Sequence, residues 1–262
     1  EAVRTRYSGV VRRDMYQFFV EAGQISIPDK RVIIFGPDVN HIRNVLRMKI
    51  GEEIGVSTGQ DGKEYCCAIV SMEEDRILCQ LRFIQESAVE LPSRIYLFQA
   101  LPKGDKMELI VQKAVELGVW EIIPVASKRC VVKLDQKKAG AKTARWQSIA
   151  EAAAKQSKRA AVPKVTQVSN FSEALERASG MDVRLIPYEL AEDMGKTRSL
   201  LEGIEPGQDI ALFIGPEGGF EESEINLALD KGLEPITLGR RILRTETAGM
   251  TVLSWIVYLL ER

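Results

Sequence analysis

The chain is short of several things, and each shortage removes a class of function. Among its 262 residues there is one histidine, His41, which argues against a histidine-rich metal site and against a Ser-His-Asp triad in the C-terminal half. The four cysteines, Cys66, Cys67, Cys79 and Cys130, show no CxxC or other metal-ligand spacing. No metal is expected, and the thiols read as reduced cysteines of a cytoplasmic protein. No stretch approaches about eighteen uncharged apolar residues, so no membrane-spanning helix is expected. The first residues, EAVRTRYSGVVRRD, have no apolar core and do not read as a signal peptide. Net charge is nearly absent too: 36 basic against 37 acidic side chains argues against a protein that coats nucleic acid indiscriminately.

What is present is ordinary for a globular protein, with 45% apolar residues and enough length for one large or two modest domains. The charges are segregated. Between Ser127 and Lys164 there are eleven Lys/Arg and two acids, whereas Glu202 to Glu234 holds nine acids and one Lys. A basic face able to meet phosphates is one reading of that asymmetry, and a solvated helix surface is the other.

The most informative stretch runs from Ile210 to Arg244. The apolar run Ile210 to Ile214 predicts a buried strand. Gly215-Pro216-Glu217-Gly218-Gly219 breaks it, a helix follows from Glu221 to about Lys231, and Gly232 stops that helix. A second short strand, Pro235 to Leu238, leads into Gly239-Arg240-Arg241-Ile242-Leu243-Arg244 and the last helix. Two glycine-containing loops thus leave two strand ends, where open α/β sheets bind ligands. Glycine lets backbone approach a ligand closely. GPEGG is neither GxxxxGK[ST] nor GxGxxG, so neither a P-loop nor a dinucleotide fingerprint is supported. Glu217 has a structural alternative, as a carboxylate near a helix N-terminus.

Elsewhere the pattern divides. From Met15 to about Glu86 short strands and turns predominate, with one helix fitting Pro37 to Met48 on a face of Val39, Ile42, Val45 and Leu46. Gln85 to Ser93 reads as a linker. Beyond it strands and helices alternate. Helices are expected from an N-cap near Asp105 to Gly118, and from Thr143 to about Lys158. Strands are expected at Ile95–Ala100, Glu121–Val125, Lys164–Val168, Asp182–Pro187 and Asp209–Ile214. That alternation implies a mostly parallel sheet. The last helix, Thr247 to Leu260 with Thr247 as N-cap, is apolar nearly all round and must be buried on most sides.

IGPEGGF followed by LGRRILRTETA resembles the C-terminal signature of the SPOUT RNA methyltransferases. With LPKGDKMELIVQKAVELGV, KRCVVKLDQKKA, RWQSIAEAAAKQSKR and HIRNVLRMKIGEEI, the chain is most similar to the ribosomal RNA small subunit methyltransferase E family. That resemblance runs from Met15 to the C-terminus. It implies an α/β SPOUT methyltransferase domain with a C-terminal trefoil knot over residues 92–262, preceded by a small PUA-like β-barrel over 15–86 that binds RNA. It also implies a homodimer, S-adenosyl-L-methionine as cofactor, and the 16S ribosomal RNA of the small subunit as substrate, with no role for DNA or membranes. MYQFFV at Met15 looks like the family's usual start; the basic arm before it, with Arg4, Arg6, Arg12 and Arg13, is one further place where RNA could be touched.

The implied cofactor residues are Ile214, Gly215, Pro216, Glu217, Gly218, Gly219, Leu238, Gly239, Ile242, Leu243, Arg244, Thr245, Thr247 and Ala248. The implied RNA contacts are Arg43, Arg47, Lys103, Lys128, Arg129, Lys133, Arg145, Lys155 and Arg159, with His41 and Asn44 on the same helix as the first two. Gln17 stands where the family often has Arg, which places an RNA role there in doubt. Lys106 reads equally well as a helix-surface residue.

The implied reaction methylates N3 of a uridine. N3 is a weak acid with a poor neutral lone pair, so deprotonation is the difficulty. Glu217 or Glu246, with Glu189 further off, can be the proton acceptor; alternatively Arg240 or Arg244 stabilises the developing anion. The residues leave that choice open. A related enzyme acting on another base or a ribose 2′-hydroxyl is opposed by the pairing of the PUA-like front with LPKGDKME. An inactive RNA-binding or assembly factor is opposed by the intact GPEGGF and LGRRILRTETA motifs.

Overall fold

The computed structural model describes residues 15–86, 89–132 and 134–261. The basic arm before Met15 and Lys133 lie outside the described residues. The chain forms two compact units: one runs to Glu90 and takes in Ala154–Val162, the other comprises Leu91–Ala153 and the chain from Pro163 onward.

The first unit is a six-stranded sheet. Its elements are β1 (Tyr16–Phe19), β2 (Ile25–Ser26), β3 (Arg31–Phe35), the short helix α1 (Pro37–Asn40), β4 (Glu53–Ser57), β5 (Lys63–Met72) and β6 (Arg76–Glu86). The order is β1-β4-β5-β6-β3-β2, antiparallel except for the β1–β4 pair. Alternation along β3 and β6 sends Val32, Ile34, Ile77, Cys79 and Leu81 into one core with Ile54, Val56 and Ile69. Register shifts at Cys66/Cys67 and Ile69/Ser71 mark bulges, which bend a strand over such a core. Burial pushes the Cys79 thiol up to about 12 and Cys67 further still, so both stay protonated and unreactive.

The helix expected over Pro37 to Met48 is not one regular helix. After α1 the chain passes into a π-turn, His41–Val45, closed by the Leu46 N–H on the His41 carbonyl at 2.9 Å. The wider turn breaks the 3.6-residue repeat. Val39 and Ile42 reach the core, Leu46 is half-buried, and Val45 is turned out at 63% exposure. Arg47, at φ 53°, ends the segment.

The Ala154–Val162 stretch is held in this unit by the Glu90 carboxylate. It accepts from the N–H groups of Ala160 (3.0 Å) and Ala161 (3.1 Å) and pairs with the Arg159 guanidinium at 2.6 Å. Ser57 Oγ donates to the Ala160 carbonyl, and Val162 N–H to that of Gly59.

The second unit contains β7 (Arg94–Ala100), α2 (Lys106–Glu116), β8 (Glu121–Ala126), α3 (Gln136–Gln156, whose last turn joins the first unit), β9 (Lys164–Val165), β10 (Ser169–Asn170), α4 (Phe171–Ala178), β11 (Val183–Pro187), α5 (Met194–Glu202), β12 (Asp209–Ile214), α6 (Glu222–Asp230), β13 (Glu234–Ile236) and α7 (Thr245–Leu260). Every strand pair is parallel, in the order β10-β8-β7-β12-β11-β13, with β9 also on β8. Parallel strands are covered on both faces, and Ile210 to Ile214 are accordingly all buried. Phe98 and Phe213, neighbours on β7 and β12, stack with ring centroids 4.3 Å apart, and Phe171 meets Phe213 edge-on. Among the described residues no helix is long and apolar enough to cross a membrane.

Two expectations about helix ends need correcting. Helix α3 starts at Gln136, not Thr143, because the Asp135 carboxylate takes the Lys138 N–H at 2.8 Å and caps the earlier turn. Asp105 is the N-cap residue of α2, as expected, although its side chain makes no cap bond and lies 3.8 Å from Lys142. Helix α7 starts at Thr245 with Arg244 as its N-cap residue, so Thr247 sits inside the first turn, exposed, and caps nothing.

Candidate functional site

The two glycine loops leave the C-terminal ends of β12 and β13, within one parallel sheet. The first is a tight cradle. Pro216 and Phe220 are buried at its two ends, and the Gly219 N–H donates to the Pro216 carbonyl at 2.9 Å. Gly219 has φ 66°, and a Cβ on Gly215 would stand only 3.2–3.3 Å from the backbone of Gly219 and Phe220. The loop closes on itself so tightly that only glycine fits without displacement. Gly218 and Gly219 stay exposed, presenting bare backbone.

The second loop is anchored at its base and open at its tip. Thr237 N–H donates to the Thr197 hydroxyl of α5 at 3.0 Å, and Gly239 turns the chain at φ 93°. Leu238 and Leu243 are half-buried, whereas Arg240, Arg241 and Arg244 are exposed and Ile242 is 90% exposed.

Thr245 joins the two loops. Its hydroxyl donates to the Gly215 carbonyl at 2.6 Å and accepts from Nε2 of Gln99 at 3.0 Å, tying the start of α7 to the β12 loop and to β7. Gln99 is fully buried and its Oε1 has no hydrogen-bond partner among the described residues. Sequence reasoning missed Gln99; a polar residue near the end of an otherwise apolar strand was the available signal. Ala248, one turn into α7, is buried behind this junction.

Glu217 does not serve a helix N-terminus, because α6 begins at Glu222 and is capped by its own box of Glu221 and Glu224. Instead its carboxylate accepts from the Lys103 N–H at 3.0 Å and pairs with Lys106 Nζ at 2.9 Å. Lys106 also lies 3.6 Å from Glu246, whose Oε2 is otherwise buried without a hydrogen bond. Lys106 is therefore a bridge between the β12 loop and α7, not a plain surface residue. Burial pushes the Glu217 carboxyl up, but hydrogen bonds from Lys106, its own backbone and Lys103 outweigh that and hold it below its ordinary value. The hydrogen bond that Lys106 donates to Glu217 holds the Lys106 ammonium's pKa up. A carboxylate made less basic and already paired is a poor proton acceptor.

The expected RNA contacts divide by what they touch. Arg159 is 3% exposed and locked to Glu90, so it cannot present its charge to a phosphate, and that expectation is withdrawn. Arg129 donates to the Gly218 carbonyl at 2.9 Å and so braces the glycine cradle. Lys128 pairs with Glu221 at 3.0 Å, its N–H donates to Glu224, and Arg145 pairs with Glu108. Lys103 and Lys155 are exposed, and Lys133 lies outside the described residues. In the first unit Arg43 donates to the Glu73 carbonyl at 2.8 Å, and Arg47 is exposed. His41 packs edge-on against Phe18, Asn44 bonds Asn40, and Gln17 bonds Glu64.

A cleft of about 730 Å³ opens elsewhere, at the ends of β7, β8 and β10. None of the expected cofactor residues lines it; among the described residues, Lys128 is the expected RNA contact that does. The two glycine loops do not line it, and the cleft is a separate feature.

With this geometry in hand, known proteins supply the comparison. A family model described as an RNA methyltransferase domain matches residues 89–257, and one described as an RNA methyltransferase PUA domain matches residues 36–82. The ribosomal RNA small subunit methyltransferase E of Bacillus subtilis (strain 168) is 38% identical over 251 residues, covering 94% of this chain and 98% of that protein. The protein of the same name from Mesomycoplasma hyopneumoniae is 33% identical over 92% of this chain and 98% of its own length. Among solved structures, the ribosomal RNA small subunit methyltransferase E of Neisseria gonorrhoeae bound to S-adenosyl methionine matches with a TM-score of 0.78 and 33% identity, covering 94% of this chain and 98% of that one. A putative methyltransferase from Legionella pneumophila, in complex with the bound cofactor SAM, matches at 0.76 and 32%, over 92% and 96% of the two chains. A mixed α/β unit with this cradle of loops, a PUA-type unit before it and relatives matched along nearly their whole length lead to one conclusion: the chain belongs to the ribosomal RNA small subunit methyltransferase E family.

Proposed function

We propose that this chain uses S-adenosyl-L-methionine to methylate N3 of a specific uridine in the 16S ribosomal RNA of the small subunit, in the cytoplasm and as a homodimer. In this reading residues 92–262 are a SPOUT domain whose C-terminal part forms a trefoil knot, and residues 15–86 are the PUA-like unit that engages RNA. The observation that carries the reading is the Thr245 junction. One buried hydroxyl ties together the two glycine loops and β7, as a site that must hold a ligand between two backbone segments requires.

The cofactor, when bound, supplies a methyl carbon made electrophilic by a sulfonium. The residues present fit such a group: Gly218, Gly219 and Gly239 present exposed backbone without side chains, Leu238 and Leu243 add half-buried apolar surface, and Arg244, Thr245, Thr247 and Ala248 bound it at the start of α7. Gly218 and Gly219 have no side chains to obstruct close approach. Glu246 has its Oε2 buried, with Lys106 Nζ 3.6 Å away as its counter-charge.

The chain's other task is to make uridine N3 nucleophilic. Glu217 is spent on Lys103 and Lys106 and is weakened as a base. That favours the electrostatic route, in which Arg244 or Arg240 lowers the cost of the uracil anion while the proton passes to solvent or to Glu246. Arg43, Arg47, Lys103, Lys128, Arg145 and Lys155 hold the RNA through its phosphates, and Arg129 acts on the cradle first and on RNA second. The test is mass spectrometry of 16S nucleosides from cells lacking the gene, against complemented cells. Loss of 3-methyluridine at one position, restored by the gene, is the expected result. An unchanged profile overturns the proposal.

A further inference from the structure

We propose that the cleft at the ends of β7, β8 and β10 receives the base of an RNA nucleotide, held by Ser169 and Asn170 between apolar walls. The proposal rests on the reading of the chain as an RNA methyltransferase and names a site that the cofactor loops do not include.

Four observations support it. At about 730 Å³ the cleft has the size of a small-ligand site and room for a nucleotide. Leu101, Leu134, Ala139 and Val168 give it the apolar walls that a flat base needs once it leaves its stack. Ser169 Oγ is buried and finds no hydrogen-bond partner among the described residues. An unsatisfied buried hydroxyl is costly, and a ligand acceptor removes the cost. Beside it Asn170 uses its Oδ1 on the Glu173 N–H at 2.9 Å, and its amide nitrogen is left to donate. The Ser169 hydroxyl can donate to a carbonyl oxygen on the edge of a base.

The surroundings favour RNA over a neutral metabolite. Ala139 lies on the first turn of α3, directly after the exposed Lys137 and Lys138 in the chain. Their competing acid is Asp135, 3.4 Å from Lys138, an exposed pair of the kind a phosphate readily displaces. The cleft is also linked to the candidate cofactor cradle through a single loop. Lys128 and Cys130 line the cleft, whereas Arg129 between them reaches the other way to the Gly218 carbonyl. A nucleotide seated in the cleft therefore presses on the loop that braces the cradle.

Two full-length variants test this: Ala139→Phe, which fills the cleft, and Ser169→Val, which keeps its volume and removes the hydroxyl. Each is assayed for cofactor affinity by calorimetry and for steady-state methyl transfer to small subunits purified from cells lacking the gene. The expected result is a cofactor Kd within about twofold of the parent and a raised KM for the subunit. The rise is about tenfold or more for Ala139→Phe and about three- to tenfold for Ser169→Val, the loss of one neutral hydrogen bond. If Ala139→Phe does not fold, Ser169→Val alone decides. A parental KM in every folded variant overturns the cleft assignment while leaving the methyltransferase reading intact. A parent chain that binds cofactor yet methylates no subunit overturns both.

Discussion

The two glycine loops are built on opposite principles. The loop after β12 is fixed at nearly every residue: Pro216 and Phe220 are buried, Glu217 is held by Lys103 and Lys106, and the Gly218 carbonyl is held by Arg129. The loop after β13 is fixed only at its root, by Thr237 and Thr245, and extends Arg240, Arg241, Ile242 and Arg244 into solvent. The first has the properties of a preorganised cradle, whose bonds are made before any ligand arrives. The second has those of a cover that acquires its contacts from whatever it closes upon. In the proposed reaction the cradle serves the cofactor and the cover serves the transition state.

The sharpest way to break that contrast is Arg244→Ala. If the cover acts on the developing charge, turnover falls by about a hundred- to a thousandfold, the range seen when one charge-stabilising donor is removed. Cofactor affinity measured by calorimetry stays within about twofold. Persistent turnover assigns the anion to another residue. Next comes Thr245→Val, which cuts the junction between the loops. It removes the donor to the Gly215 carbonyl and one of the two acceptors of Gln99 Nε2, which keeps its bond to the Ala100 carbonyl, so stability to denaturant drops by about 1–3 kcal/mol, the cost of leaving a buried polar group unpaired. Cofactor affinity falls with it, because cradle and cover lose their common anchor. An unchanged unfolding midpoint removes Thr245 from that role.

The cradle also has a pH signature. The Glu217 carboxyl sits below its ordinary value when folded, so its bonds stabilise the protein fully above the unfolded value of about 4.3 and are lost as pH falls through the folded value. Thermal melts of Glu217→Gln against the parent should differ most at neutral pH and converge toward pH ~3. A difference that widens in acid contradicts the assignment. The smallest effect is expected of Ile242→Ser. At 90% exposure its side chain supports nothing within the monomer, and stability should stay within about 0.5 kcal/mol. A change in sedimentation for this variant would mean that the cover is part of a subunit interface.

Much of this site was legible in one dimension. Gly215 to Gly219 and Gly239 were readable as loops because glycine at strand ends has few other uses, and the apolar run before them forms the buried strand expected. Thr245 stood inside the motif, but its partner Gln99 did not, since 146 residues separate them and no periodicity links a buried amide to a distant hydroxyl. Lys106 and Glu217 are 111 residues apart, and each has a sufficient local explanation in the sequence. Val45 was assigned to a helix face because apolar spacing cannot register a π-turn.

Arg159 shows the limit most plainly. Within the basic run it is indistinguishable from Lys155, yet one is exposed and the other is buried on Glu90. The sequence by itself determined the parallel α/β unit, the loops at its strand ends and the family, because periodicity and glycine placement are local properties that survive in linear text. Only the tertiary structure decided which charges are free to act. Pairing depends on distance in space, and the attraction between two charges, or the cost of burying one, is set by neighbours brought in from remote parts of the chain.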